Sequence, residues 1–120
     1  MDEMAAHLEF WQKALRLQDW DIDFKVVRLK EWLAAGKTTY TAGCCSMNGQ
    51  NAYVVVRILD PEDLADDVVP SYRDAEVTIV HELLHILIPV SASDGSDVHG
   101  ERAINRIAEA LVTLRRMKTP

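Results

Sequence analysis

Excess positive charge is missing from this chain. Thirteen Lys and Arg stand against nineteen Asp and Glu, a formal net charge of −6 in 120 residues. With a pI near 5.1, such a surface repels phosphate backbones and anionic lipid headgroups, which argues against nucleic-acid and membrane partners. Long apolar runs are missing too. The longest, Ala52 to Val56, is far short of the roughly 20 residues that a membrane span needs. The N-terminus, Met1-Asp2-Glu3-Met4-Ala5-Ala6-His7, has neither the basic start nor the apolar stretch of a secretory signal. Cysteine is scarce: Cys44 and Cys45 are the only two, and they are adjacent. Strand neighbours point to opposite faces, so a bond between them would be strained and a disulfide framework is excluded. These absences together describe a reduced, cytoplasmic protein. No internal repeat or low-complexity tract is visible. Apolar content, by contrast, is ample. At 48% hydrophobic and 27% charged, residues 1–120 are enough for a single core and too few for two, so one domain is expected.

Periodicity outlines the elements. Met4, Leu8, Trp11 and Leu15, with Ala5, Phe10 and Ala14 nearby, form a helical stripe within Asp2 to Leu17. Trp20 to Val26 alternates apolar and polar residues, the mark of a strand with one buried face. Lys30 to Gly36 fits either a helical turn or a loop. Thr38–Met47 and Ala52–Leu59 are rich in small or β-branched residues and flank Asn48-Gly49, a turn pair, so they read as a β-hairpin. Glu62 to Asp67 is acidic and reads as a solvated loop or short helix. Ser71 is a candidate cap, with Asp74 in the first turn, for a helix through Ala75 to Ile88 that Pro89 stops. After a polar loop, a last helix is expected from about Glu101 to Lys118, with Ile104, Ile107, Ala108, Leu111 and Leu114 as its inward face. Strands early and helices late make an α+β chain.

The chemistry is concentrated in His81-Glu82-Leu83-Leu84-His85, an H-E-x-x-H pattern inside a predicted helix. Residues at i and i+4 lie about 40° apart around a helix. Both imidazoles can therefore reach one ion, and neutral imidazole is a good zinc ligand. Glu82 points away from that pair, where it can touch a water at the metal's open position as general base. Val77, Val80, Leu84 and Ile88 flank the two His on the expected inward face. Polar groups in such a stripe are costly to bury without an ion to compensate them.

A catalytic zinc site takes three protein ligands and a water. Asp94, Asp97, His99, Glu101 and Glu109 follow His85. Glu101 borders the apolar face of the last helix, whereas Glu109 falls nearly opposite it. Glu101 is thus the preferred third ligand. His99 remains the alternative, either as ligand or as a hydrogen-bond donor to a developing oxyanion. Tyr53 and Tyr72 are further oxyanion candidates, and Asn105 a candidate support for the ligands.

His81-Glu82-x-x-His85 followed by a loop and a helix opening with Glu101 resembles the gluzincin branch of the zincin metallopeptidases, in its minimal single-domain form. Residues Trp11 to Leu15 and Leu17 to Trp20 look similar to small metallopeptidases encoded by phages and prophages. The gluzincin resemblance covers the chain from Ala75 onward. It implies an N-terminal helix, a small three-stranded sheet (mixed or antiparallel), an active-site helix and a C-terminal glutamate helix. It also implies Zn²⁺ as cofactor and a peptide or protein substrate that pairs with an edge strand of the Thr38–Leu59 hairpin. Two departures stand out. No third His follows His85 within Ile86 to Val90, and Asn105 stands four residues after Glu101, where this branch often carries an acid. The expected activity is zinc-dependent peptide-bond hydrolysis. Its rivals are a catalytically silent zinc-binding regulatory domain acting through one protein partner, and a helical domain without metal.

Overall fold

The computed structural model describes residues 3–38, 42–67, 73–88 and 98–117. Among them the architecture is α+β, with four helices and a three-stranded mixed sheet. The helices are α1 (Glu3–Ala14), α2 (Leu29–Ala34), α3 (Ala75–Leu87) and α4 (Val98–Met117). The strands are β1 (Asp21–Val27), β2 (Gly43–Asn48) and β3 (Tyr53–Leu59), and a short 3₁₀ turn spans Pro61–Asp63. Neither α4 nor any other described helix is long and apolar enough to cross a membrane.

β3 is the central strand. It pairs with β1 in parallel, Phe24 opposite Val56, and with β2 antiparallel, Cys45 opposite Val56. Alternation then sorts the side chains. Val54, Val56 and Ile58 point inward and are fully buried against Trp11 of α1, Ile79, Val80 and Leu83 of α3, and Ile104 and Ala108 of α4. On the other face, Arg57 bonds the Asp23 carboxylate and backbone, and the Tyr53 hydroxyl donates to Asp23 at 3.2 Å. A second, smaller core of Val27, Trp32, Leu59 and Leu64 sits under α2. The alternating pattern of 20–26 is thus a strand, shifted by one residue, whose Ile22, Phe24 and Val26 pack half-buried on the main core while Val27 is buried in the second one.

Several boundaries differ from expectation, each for a local reason. α1 stops at Ala14 because Arg16 adopts φ 60° and two bonds close the end. Leu17 N–H donates to Gln12 O (2.8 Å) and Arg16 N–H to Lys13 O (3.0 Å), a Schellman arrangement. The hairpin loop is 49–52, not a tight two-residue turn. Asn48 Oδ1 accepts from the backbone N–H of Gln50 and Asn51, and the left-handed residue is Ala52 (φ 49°), not Gly49. The cap of α3 is Asp74, whose Oδ1 accepts from Glu76 N and Val77 N at 3.1 and 3.4 Å. This corrects the expectation of Ser71, which with Pro70, Tyr72 and Pro89 lies outside the described residues.

α4 brings the largest correction. It begins at Val98, a turn before Glu101 is reached. Its buried positions are Ile104, Ala108 and Val112, whereas Ile107 and Leu114 are exposed. The inward face is thus rotated from the expected one, and at about 100° per residue Glu101 falls near its middle. The direction of α4 is set at its far end. Glu76, buried near the start of α3, accepts from Trp11 Nε1 (2.7 Å), Arg115 Nη1 (2.6 Å) and Arg116 Nη2 (3.1 Å). Arg116 also holds Asp74 at 2.7 Å. With the end of α4 lashed to the start of α3, the start of α4 comes beside the later turns of α3.

Candidate metal centre

His81 and His85 lie one turn apart on α3, and Glu101 reaches them from the first turns of α4. His81 Nε2 is 3.0 Å from Glu101 Oε2, His85 Nε2 is 3.2 Å from Glu101 Oε1, and the two Nε2 atoms are 3.2 Å apart. Among the described residues this is the one group of three potential ligands gathered closely enough to hold an ion. The donor set can be tested against a metal. Ligands bonded at 2.0–2.1 Å in a tetrahedron stand about 3.3 Å from each other. The observed separations come within a few tenths of an ångström of that, so the residues fit a small divalent cation. Both imidazole side chains are 16% exposed and Glu101 44%, so the cluster keeps contact with solvent.

Electrostatics favour neutral imidazole. Burial lowers the His81 pKa, the neighbouring His85 lowers it further, and Glu101 and a hydrogen bond with Asn105 oppose both. Asn105 therefore touches a prospective ligand as expected, and its amide also donates to Glu109 at 2.9 Å.

Glu82 projects toward β2, not into the donor cluster. It is 6% exposed, and its carboxylate makes no hydrogen bond among the described residues. Burial pushes its pKa up to about 8, the negative charge of Glu101 adds to this, and the Lys37 cation works against it. The expected flanking stripe holds for Val77, Val80 and Leu84, but Ile88 is exposed.

His99 is exposed on α4. Two residues before Glu101 on one helix, it points about 200° away from it. α4 thus brings Glu101, and not His99, to the imidazoles. Tyr53 lies on the outer sheet face with its hydroxyl engaged by Asp23, away from α3. Asp94 and Asp97 lie outside the described residues.

Three neighbours of the site escaped the sequence reading: Gly43, Cys45 and Lys37. Cys44 and Cys45 are free thiols on opposite faces of β2. Burial pushes the Cys45 thiol up to about 12, helped by the charges of Glu82, Cys44 and Glu101, so it sits beside the centre as a protonated, unreactive group. Alternation along the hairpin does place Gly43 and Cys45 on one face, but no residue pattern says which helix lies over that face.

Comparison with family models, with curated proteins and with solved structures found no match.

Proposed function

We propose that this protein is a zinc-dependent metallopeptidase of minimal, gluzincin-like design. The carrying observation is the triangle of His81 Nε2, His85 Nε2 and Glu101, 3.0–3.2 Å on a side, with Glu82, a residue only 6% exposed, next to His81 in the chain. His81, His85 and Glu101 would hold the ion, which when bound supplies Lewis acidity toward a carbonyl oxygen and toward water. Its neutral form would offer His81 a ring lone pair for that task. Glu82 would take a proton from the attacking water at its carboxylate and return it to the leaving amine. Low polarity around Glu82 raises its proton affinity toward neutrality, which suits both halves of that cycle. β2 is the edge strand nearest α3, so an extended peptide would add along β2 rather than β3, which is paired on both sides.

The near-complete burial of Glu82 favours a second reading, a zinc-binding regulatory domain whose acid is shielded from substrate and which acts through a specific protein partner. One experiment separates the two. Zinc-loaded protein is incubated with a library of internally quenched peptides, beside Glu82→Gln. Cleavage by the wild type alone supports the peptidase. Tight zinc binding with no cleavage by either protein supports the regulatory domain.

A further inference from the structure

The edge strand β2 comes closest to α3 at Gly43. A Cβ placed there would lie 2.9 Å from Glu82 Oε2, 3.2 Å from Glu82 Cγ and 2.9 Å from Thr78 Cγ2. Thr78 and Glu82 are four residues apart on α3 and both are buried, so they form one ridge, and Gly43 is the gap that receives it. Backbone conformation does not explain the glycine, since Gly43 has no positive φ; among the described residues the glycine with positive φ is Gly36. The inner neighbour two residues along, Cys45, does carry a side chain and packs on the core. The missing side chain at Gly43 thus makes room for the Glu82 carboxylate and the Thr78 methyl beside it.

We propose that Gly43 is a positioning residue for Glu82. The bare backbone of β2 forms the slot in which the carboxylate lies, and any side chain there drives Glu82 out of register with the His81–His85–Glu101 triangle. The contact stands on geometry alone; its catalytic consequence rests on the metallopeptidase reading.

Gly43→Ala, Thr78→Ser and the double variant test this. Thr78→Ser deletes Cγ2 and keeps the hydroxyl that donates to Asp74 O at 3.3 Å, so in the double variant the new methyl meets Glu82 alone. In a crystal structure of Gly43→Ala, the Glu82 carboxylate is expected to leave its slot while the β2 backbone stays in place. Zinc affinity should stay within about threefold, because no ligand is touched. Turnover of a peptide that the wild type cleaves should drop about tenfold or more at unchanged KM, a share of the 10²–10⁴ that a general base contributes. The double variant should regain thermal stability without regaining turnover. An unmoved Glu82 beside a displaced β2, or a double variant with restored turnover, overturns the proposal. If zinc-loaded wild type cleaves no peptide, the metallopeptidase reading fails, and the position of Glu82 in the Gly43→Ala crystal still decides the role of Gly43.

Discussion

Glu101 Oε2 lies 3.0 Å from His81 Nε2, although the two residues are 20 positions apart. Two antiparallel helices meet there, and their opposite ends are clamped by Glu76 with Arg115 and Arg116. The candidate ligands are therefore held on two helices clamped together at the ends away from them, which helps to preorganise the site.

Glu82→Gln separates chemistry from binding. The side chain is not in the donor triangle, so zinc affinity should change by no more than about twofold. Turnover should fall by about 10²–10⁴, the usual contribution of a general base. Steady-state kinetics beside zinc titration checks both, and a variant that still cleaves at wild-type rate removes Glu82 from the role.

Zinc should stabilise the fold through the same three side chains. At a free zinc concentration of about 100 Kd, linkage gives about 2.7 kcal/mol of stabilisation. Calorimetry should show the corresponding rise in Tm for the wild type and its reversal by chelator. For His85→Ala the rise should vanish. An equal rise in both proteins would place the ion elsewhere.

The metal-free protein should lose stability as pH rises. Glu82 titrates near 4.5 when unfolded and near 8 in the fold. Between those values the native state holds a proton that the unfolded chain has released, so unfolding becomes easier with each step upward. Glu82→Gln, which cannot ionise, should be more stable than metal-free wild type at pH 8, and that advantage should shrink by pH 5. Thermal melts at the two pH values decide it, and an advantage independent of pH contradicts it.

Much of this site is legible in the residues. His81, Glu82 and His85 fall within one helix, so their relation follows from helical geometry alone. Glu101 is harder to place, because the choice between it and His99 depends on where α4 starts, and the preceding loop offers several cap-type residues, Ser93, Asp94, Ser96 and Asp97, as rival starts. The apolar arc of α4 is broad enough to include Ile107 and Leu114, and only packing on α3 shows that Ile104, Ala108 and Val112 are the buried ones. Period-2 alternation identified β1, but alternation names no partner, so its parallel pairing with β3 across the intervening hairpin was not readable. The slot at Gly43 was hidden for the same reason: it exists only where α3 and β2 meet.

Glu76 should prove the most costly single position in the fold. Burial works against its charge, but the bonds from Trp11 and Arg115, the nearby His7 and a bond from Arg116 outweigh it and hold its pKa below the ordinary 4.5. A depressed carboxylate adds stability that is fully present above about pH 4.5 and is lost as pH falls through the lowered value. Glu76→Ala leaves Trp11 Nε1 and Arg115 without this acceptor and should cost about 3 kcal/mol in denaturant titrations at pH 7. The gap from wild type should narrow in acid. A loss of less than about 1 kcal/mol would mean that the ion cluster contributes little.

The central claim is a cation held by two turns of α3 and the first turns of α4. It is tested most directly by crystals grown with zinc and measured on both sides of the zinc absorption edge. The account predicts one strong anomalous peak about 2.0–2.2 Å from His81 Nε2, His85 Nε2 and a Glu101 oxygen. A map with no peak there, or with its peak on other side chains, contradicts it.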